Sequence, residues 1–140
     1  MKYLTDDEFT GLFEACELPP EEFHHREHLR LALIYLRRYG PDESKVRLSR
    51  SIRTYAAHHG APGKYHETLT VAWLQLVEHA AACLGPESAL EDLVTAFPIL
   101  LRKDALEACY SRAALGSEAA RGLFLEPDLM PLKSLICQAN

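Results

Sequence analysis

Residues 22–41 read EFHHREHLRLALIYLRRYGP, and this stretch settles the fold class. Leu29, Ala32, Leu33 and Leu36 recur at steps of three and four residues, the spacing that stacks side chains on one helix face. The pattern predicts a helix from about Glu22 to Tyr39. Gly40-Pro41 closes it, since glycine tolerates a helix end and proline cannot donate a backbone hydrogen bond.

Working outward, the same punctuation repeats. Upstream, Thr5 followed by Glu8 forms a capping box, and Phe9, Leu12 and Phe13 give an apolar stripe that should end near Cys16, ahead of Pro19-Pro20. Downstream, Asp42 or Ser44 is expected to cap a helix through Val46, Ile52, Tyr55 and Ala56, stopped by Gly60 and Pro62-Gly63. The longest helix is expected from roughly Tyr65 to Leu84, burying Leu69, Trp73, Leu76, Val77 and Ala80. Ser88 with Glu91 marks a short helix through Leu93 and Phe97, Asp104 another towards Tyr110, and Ser117 a last one through Leu123. The segment after Pro127 is expected to be extended or loosely docked. No run alternates as a strand would. The sequence therefore predicts an all-α, single-domain helical bundle of about five to seven helices spanning residues 1–140.

Fifteen Lys and Arg stand against twenty Asp and Glu, a formal charge of −5. That balance argues against a nucleic-acid partner, which needs a basic face to neutralise phosphates. No segment approaches the ~20 apolar residues of a membrane span, and the acidic start MKYLTDDE lacks a signal-peptide core. A cytoplasmic location follows as the expectation. Cys16, Cys83, Cys109 and Cys137 form no C-x-x-C pair and read as reduced, small core residues.

The chemistry concentrates in the seven histidines. His25 and His28 are three apart and share a helix face. His66 leads into the stripe of Thr70, Trp73 and Val77 and should face inward. If the two helix starts meet at one end of a bundle, His25, His28 and His66 converge with Glu67 alongside. Three imidazoles and a carboxylate suit a divalent metal such as zinc, iron or manganese, with an open position for water. In that reading Glu67 is a ligand or general base, and Tyr65 and Arg30 orient an anionic or carbonyl substrate. The spacing is that of no specific metal motif, since His66-Glu67 is not followed by the second histidine of H-E-x-x-H. The plainer reading is equally open: histidines at a helix start stay neutral and hydrogen-bond nearby carbonyls.

Phe23-x-His25-x-x-His28-Leu29-Arg30 and Lys64-Tyr65-His66-Glu67-Thr68, with Phe97-Pro98 and Tyr110-Ser111 downstream, resemble a family of small bacterial proteins with no established activity. The resemblance runs from about Leu18 to Asp128 and implies a shared fold. Two functions thus stand side by side. One is a metal-dependent enzyme acting on a small molecule. The other is a non-enzymatic module that binds a small ligand or docks a partner through Arg47, Arg50 and Arg53. Apolar helix faces could also support a homodimer.

Overall fold

A computed structural model describes residues 4–136. Among them are six α-helices and no strand: α1 (Asp6–Glu14), α2 (His25–His58), α3 (Glu67–Leu84), α4 (Leu90–Ala96), α5 (Arg112–Leu115) and α6 (Glu118–Gly122). Short 3-10 turns lie between α1 and α2, α2 and α3, and α4 and α5, and one follows α6. The all-α expectation of five to seven helices holds. No helix among the described residues is long and apolar enough to cross a membrane. The chain forms two compact units that meet in sequence between Tyr65 and His66.

In the first unit, α1 begins with the expected capping box. Thr5 Oγ1 accepts from Glu8 N at 3.1 Å, and Glu8 Oε1 accepts from Thr5 N at 2.9 Å. Two orphan amides at the helix start are thereby satisfied. Phe9 and Phe13 are fully buried, and α1 packs on α2.

The sequence gap expected between two helices at Gly40 is only one residue wide. Gly40 alone departs from helical geometry, with φ +79° and ψ 173°. Pro41 then starts the second half, where its missing amide hydrogen costs no helical bond. Neither Asp42 nor Ser44 is the cap, for Ser44 is fully buried and its hydroxyl donates to Pro41 O at 3.2 Å. The two halves of α2 fold back on each other, as contacts between Tyr35 and Ser51 and between Phe23 and Tyr55 require. Leu31 to Tyr35 are all buried, so this half is enclosed on more than the one face the spacing indicated. Val46, expected in the core, is 52% exposed, and Leu48 takes its place.

The second unit is built on α3. Val71, Ala72, Leu74, Leu76, Val77 and Ala80 are its buried apolar residues, whereas Leu69 and Trp73 are only half-buried. The cap of α4 lies one residue later than expected. Ala89 N donates to Asp92 Oδ2 at 2.8 Å, while the Ser88 hydroxyl is turned to Gly85 O. Ser117 caps α6 as expected, accepting from Ala120 N at 3.1 Å. Residues 127–136 hold one 3-10 turn, Leu132–Leu135, and are docked by hydrogen bonds and burial. Leu129 N donates to Cys109 O at 2.8 Å, Asp128 Oδ1 accepts from Ser111 N at 2.8 Å, and Leu132 and Ile136 are buried. Their apolar side chains supply the burial that two prolines obscured in the sequence. Cys137 lies outside the described residues.

Candidate functional site

The start of α2 places the first histidine pair. His24 precedes the helix, and Glu27 Oε1 accepts its backbone N–H at 2.9 Å. His25 and His28 then fall on successive turns. The His28 ring lies on Phe23 with centroids 4.1 Å apart. Phe23 in turn touches Phe13 and Tyr55, so His28 is the polar edge of an aromatic cluster. Burial, and secondarily the neighbouring His25, pull its pKa from 6.5 down to about 4. His28 is a neutral imidazole at physiological pH, because a charged ring in that apolar setting would lack solvation.

At the other end of α2, His59 lies 4.4 Å from the Tyr55 ring, and its buried Nε2 has no hydrogen-bond partner among the described residues. The Tyr55 hydroxyl donates to Leu18 O at 2.7 Å. Burial raises its pKa, with Cys16 and Glu21 adding to the rise.

Of the residues expected to act on a substrate, two are held within the same unit. Arg30 donates to Asp6 Oδ1 at 3.0 Å and to Leu4 O at 2.7 Å, and its guanidinium lies 4.5 Å over the Phe9 ring. It fastens α2 to the start of α1. Tyr65 lies beneath the Arg53 guanidinium at 4.7 Å.

His66 and Glu67 belong to the second unit. His66 is the N-cap of α3: its Nδ1 accepts from Leu69 N at 3.1 Å. Its Nε2 is 2.8 Å from Leu115 O, a contact that carries the ring proton on Nε2, since a carbonyl can only accept. Both nitrogens are thus engaged, and the imidazole ties α3 to α5. Glu67 is the first residue of α3, half-buried, and itself engaged in an interaction. Its carboxylate stands where the helix dipole favours negative charge. Among the described residues, no group of three or more His, Cys, Asp or Glu side chains is arranged to hold a metal ion.

A cleft of about 470 Å³ opens beside His66, lined also by Leu69, Glu107, Tyr110, Ser111, Arg112, Leu115, Gly116 and Leu129. Its framework is hydrogen-bonded throughout. Ser111 Oγ accepts from Ala114 N at 3.1 Å, and the Tyr110 hydroxyl donates to Leu125 O at 2.6 Å. Burial, reinforced by Glu126, raises the Tyr110 pKa, so the phenol stays protonated. Thr68 Oγ1 donates to Leu123 O at 2.9 Å and accepts from Leu125 N at 3.1 Å, fixing the chain behind the cleft. Glu107 and Arg112 are the charged residues of the lining, and both are exposed.

Apart from His66, none of these lining residues stood out as a site in the sequence. The usable signal was Ser111, a serine three residues before the amide it caps. No protein-family model, curated protein or solved structure matches the chain.

Proposed function

We infer that residues 66–136 form a small-ligand-binding module, with the cleft beside His66 as its site. One observation carries this reading. The polar walls, His66, Ser111 and Tyr110, spend their hydrogen bonds on holding the cleft together, while Glu107 and Arg112 leave one charge of each sign exposed in its lining. A pre-built concave site of several hundred Å³, apolar with a few polar groups, is the form that small-molecule sites take. Leu69, Leu115 and Leu129 would contact an apolar body. Arg112 would pair with an anionic end and Glu107 with a cationic one. A compact zwitterion or a similar amphipathic molecule has that chemistry.

His66 supports binding better than catalysis here. To act as a base or a ligand it would have to release Leu69 N or Leu115 O, loosening the wall it builds.

The reading is tested by titrating the uniformly ¹⁵N-labelled protein with phenylalanine, leucine and 4-(aminomethyl)benzoate, alongside analogues lacking the amine or the carboxylate. Saturable shifts at the Leu69, Ser111 and Gly116 amides, lost in Arg112→Glu, are expected. Shifts that persist unchanged in Arg112→Glu, or none at millimolar probe, would overturn it.

A further inference from the structure

Three leucines line the cleft beside His66, and they differ in what the fold asks of them. Leu69 and Leu115 are half-buried, on α3 and α5, and each is bonded to the His66 ring through its backbone. Their side chains belong to the wall. Leu129 is 58% exposed, the barest large apolar side chain among the described residues. The fold gains little from it, since most of its apolar area stays in water.

The backbone beneath that side chain is nevertheless fixed. Pro127 and Pro131 bracket the segment, and each proline ring restricts its own φ. Leu129 N donates to Cys109 O at 2.8 Å, the preceding Asp128 accepts from Ser111 N at 2.8 Å, and the Cys109 thiol donates to Pro131 O at 3.7 Å. A bare leucine on a loose loop would lose chain entropy when a ligand covered it. Here that ordering is already complete, so the contact is pre-organised. Leu123 is nearly as bare, at 57%, but does not line the cleft.

We propose that Leu129 is the specificity-determining residue of the cleft, its isobutyl group favouring a zwitterion with a compact apolar body, such as a benzyl group, over one with a fused double ring. This assignment rests on the cleft being the ligand site. Arg112 and Glu107 would hold the charged ends of any zwitterion alike, so discrimination between zwitterions falls to the apolar lining. Within that lining, Leu129 is the side chain whose bulk can change without disturbing the bonds that build the wall. Size selection by one apolar side chain is modest in magnitude, because only a few methylenes of contact are gained or lost.

The test compares phenylalanine with naphthylalanine on the full ¹⁵N-labelled chain, following the Leu69, Ser111 and Gly116 amides. Both probes carry the same amine and carboxylate, so the ratio of their dissociation constants reports the apolar end alone. The parent should bind phenylalanine the more tightly. Leu129→Ala should move the ratio towards naphthylalanine by about tenfold, the size expected for a few methylenes of contact. Leu129→Met, similar in volume, should keep the parent's ratio, and so should Leu123→Ala. Urea midpoints of all three variants should match the parent, since both leucines are exposed. An unmoved ratio in Leu129→Ala, whether the two affinities stay or fall together, would overturn the proposal, as would an equal move in Leu123→Ala. Shifts that respond to Arg112→Glu but not to Leu129→Ala would overturn the role of Leu129 alone. No shift by either probe in the parent would overturn the cleft reading, and the role of Leu129 with it.

Discussion

Tyr35 and Ser51, on opposite sides of the single break in α2, meet through their hydroxyl oxygens at 2.9 Å. The Tyr35 hydroxyl also donates to the Glu14 carboxylate, so one phenol joins α1 to both halves of α2. Burial, followed by the bond to Glu14, holds its pKa well above the ordinary tyrosine value, and the proton stays on the phenol. Tyr35→Phe keeps the ring and removes the junction. A loss of roughly 1–2 kcal/mol is expected, by urea denaturation, because the net worth of such bonds is small but Ser51 is left unpaired. An unchanged midpoint would mean that water replaces the phenol at no cost.

His28 should make stability depend on pH. Its folded pKa of about 4 lies below the free value of 6.5, so between these values the unfolded chain binds a proton that the native chain refuses. Stability is complete above the upper value, falls as pH drops through the window, and levels off below the lower one. The size of the fall is roughly 3 kcal/mol. His28→Gln should flatten that part of the profile. Urea midpoints between about pH 4 and pH 7 check it, and an identical slope in the variant would rule out His28 as the source.

Gly40→Ala should destabilise by roughly 1–3 kcal/mol, the usual range for a side chain forced into sparsely populated backbone space. A Cβ there would meet no atom within 4 Å, so the cost arises from φ +79° and not from crowding. Gly40→Asn should lose about as much, because ψ 173° places this backbone outside the left-handed helical region that asparagine tolerates. A clearly smaller loss in the asparagine variant would point to a different cause.

His66 anchors two elements, and its variants should separate them. His66→Ala removes both the cap of α3 and the tie to Leu115 and should cost about 1–3 kcal/mol. His66→Asn keeps a capping oxygen and should recover part of that loss. Hydrogen exchange would show the Leu69 amide slowing again in the asparagine variant. A Leu69 amide as fast as in His66→Ala would show that the cap is not restored.

Where a signal was local, the sequence disclosed it. Thr5 and Glu8, or Ser117, need only their own helix to act, and the structure places them as caps. Ser88 misled because its hydroxyl serves the preceding turn, and two adjacent acids, Glu91 and Asp92, leave the offset open by one. Helix α5, four residues long, is too short to display a period. The cleft was harder to read for the same reason, since most of its lining comes from turns between Glu107 and Gly116. The stripe of Thr70, Trp73 and Val77 pointed His66 inward, whereas His66 is half-buried at the cleft and Thr70 and Trp73 are half-buried too. The service of His66 as a cap was not legible, because imidazole is an uncommon choice there.

The break in α2 concentrates a burden on one codon. Either rod can absorb changes on its exposed side, because such substitutions alter little beyond solvation. At position 40 any first- or second-base change replaces glycine and adds a side chain to a backbone conformation that resists one. Drift should therefore be free on the exposed sides of the two rods and stalled at the pivot between them.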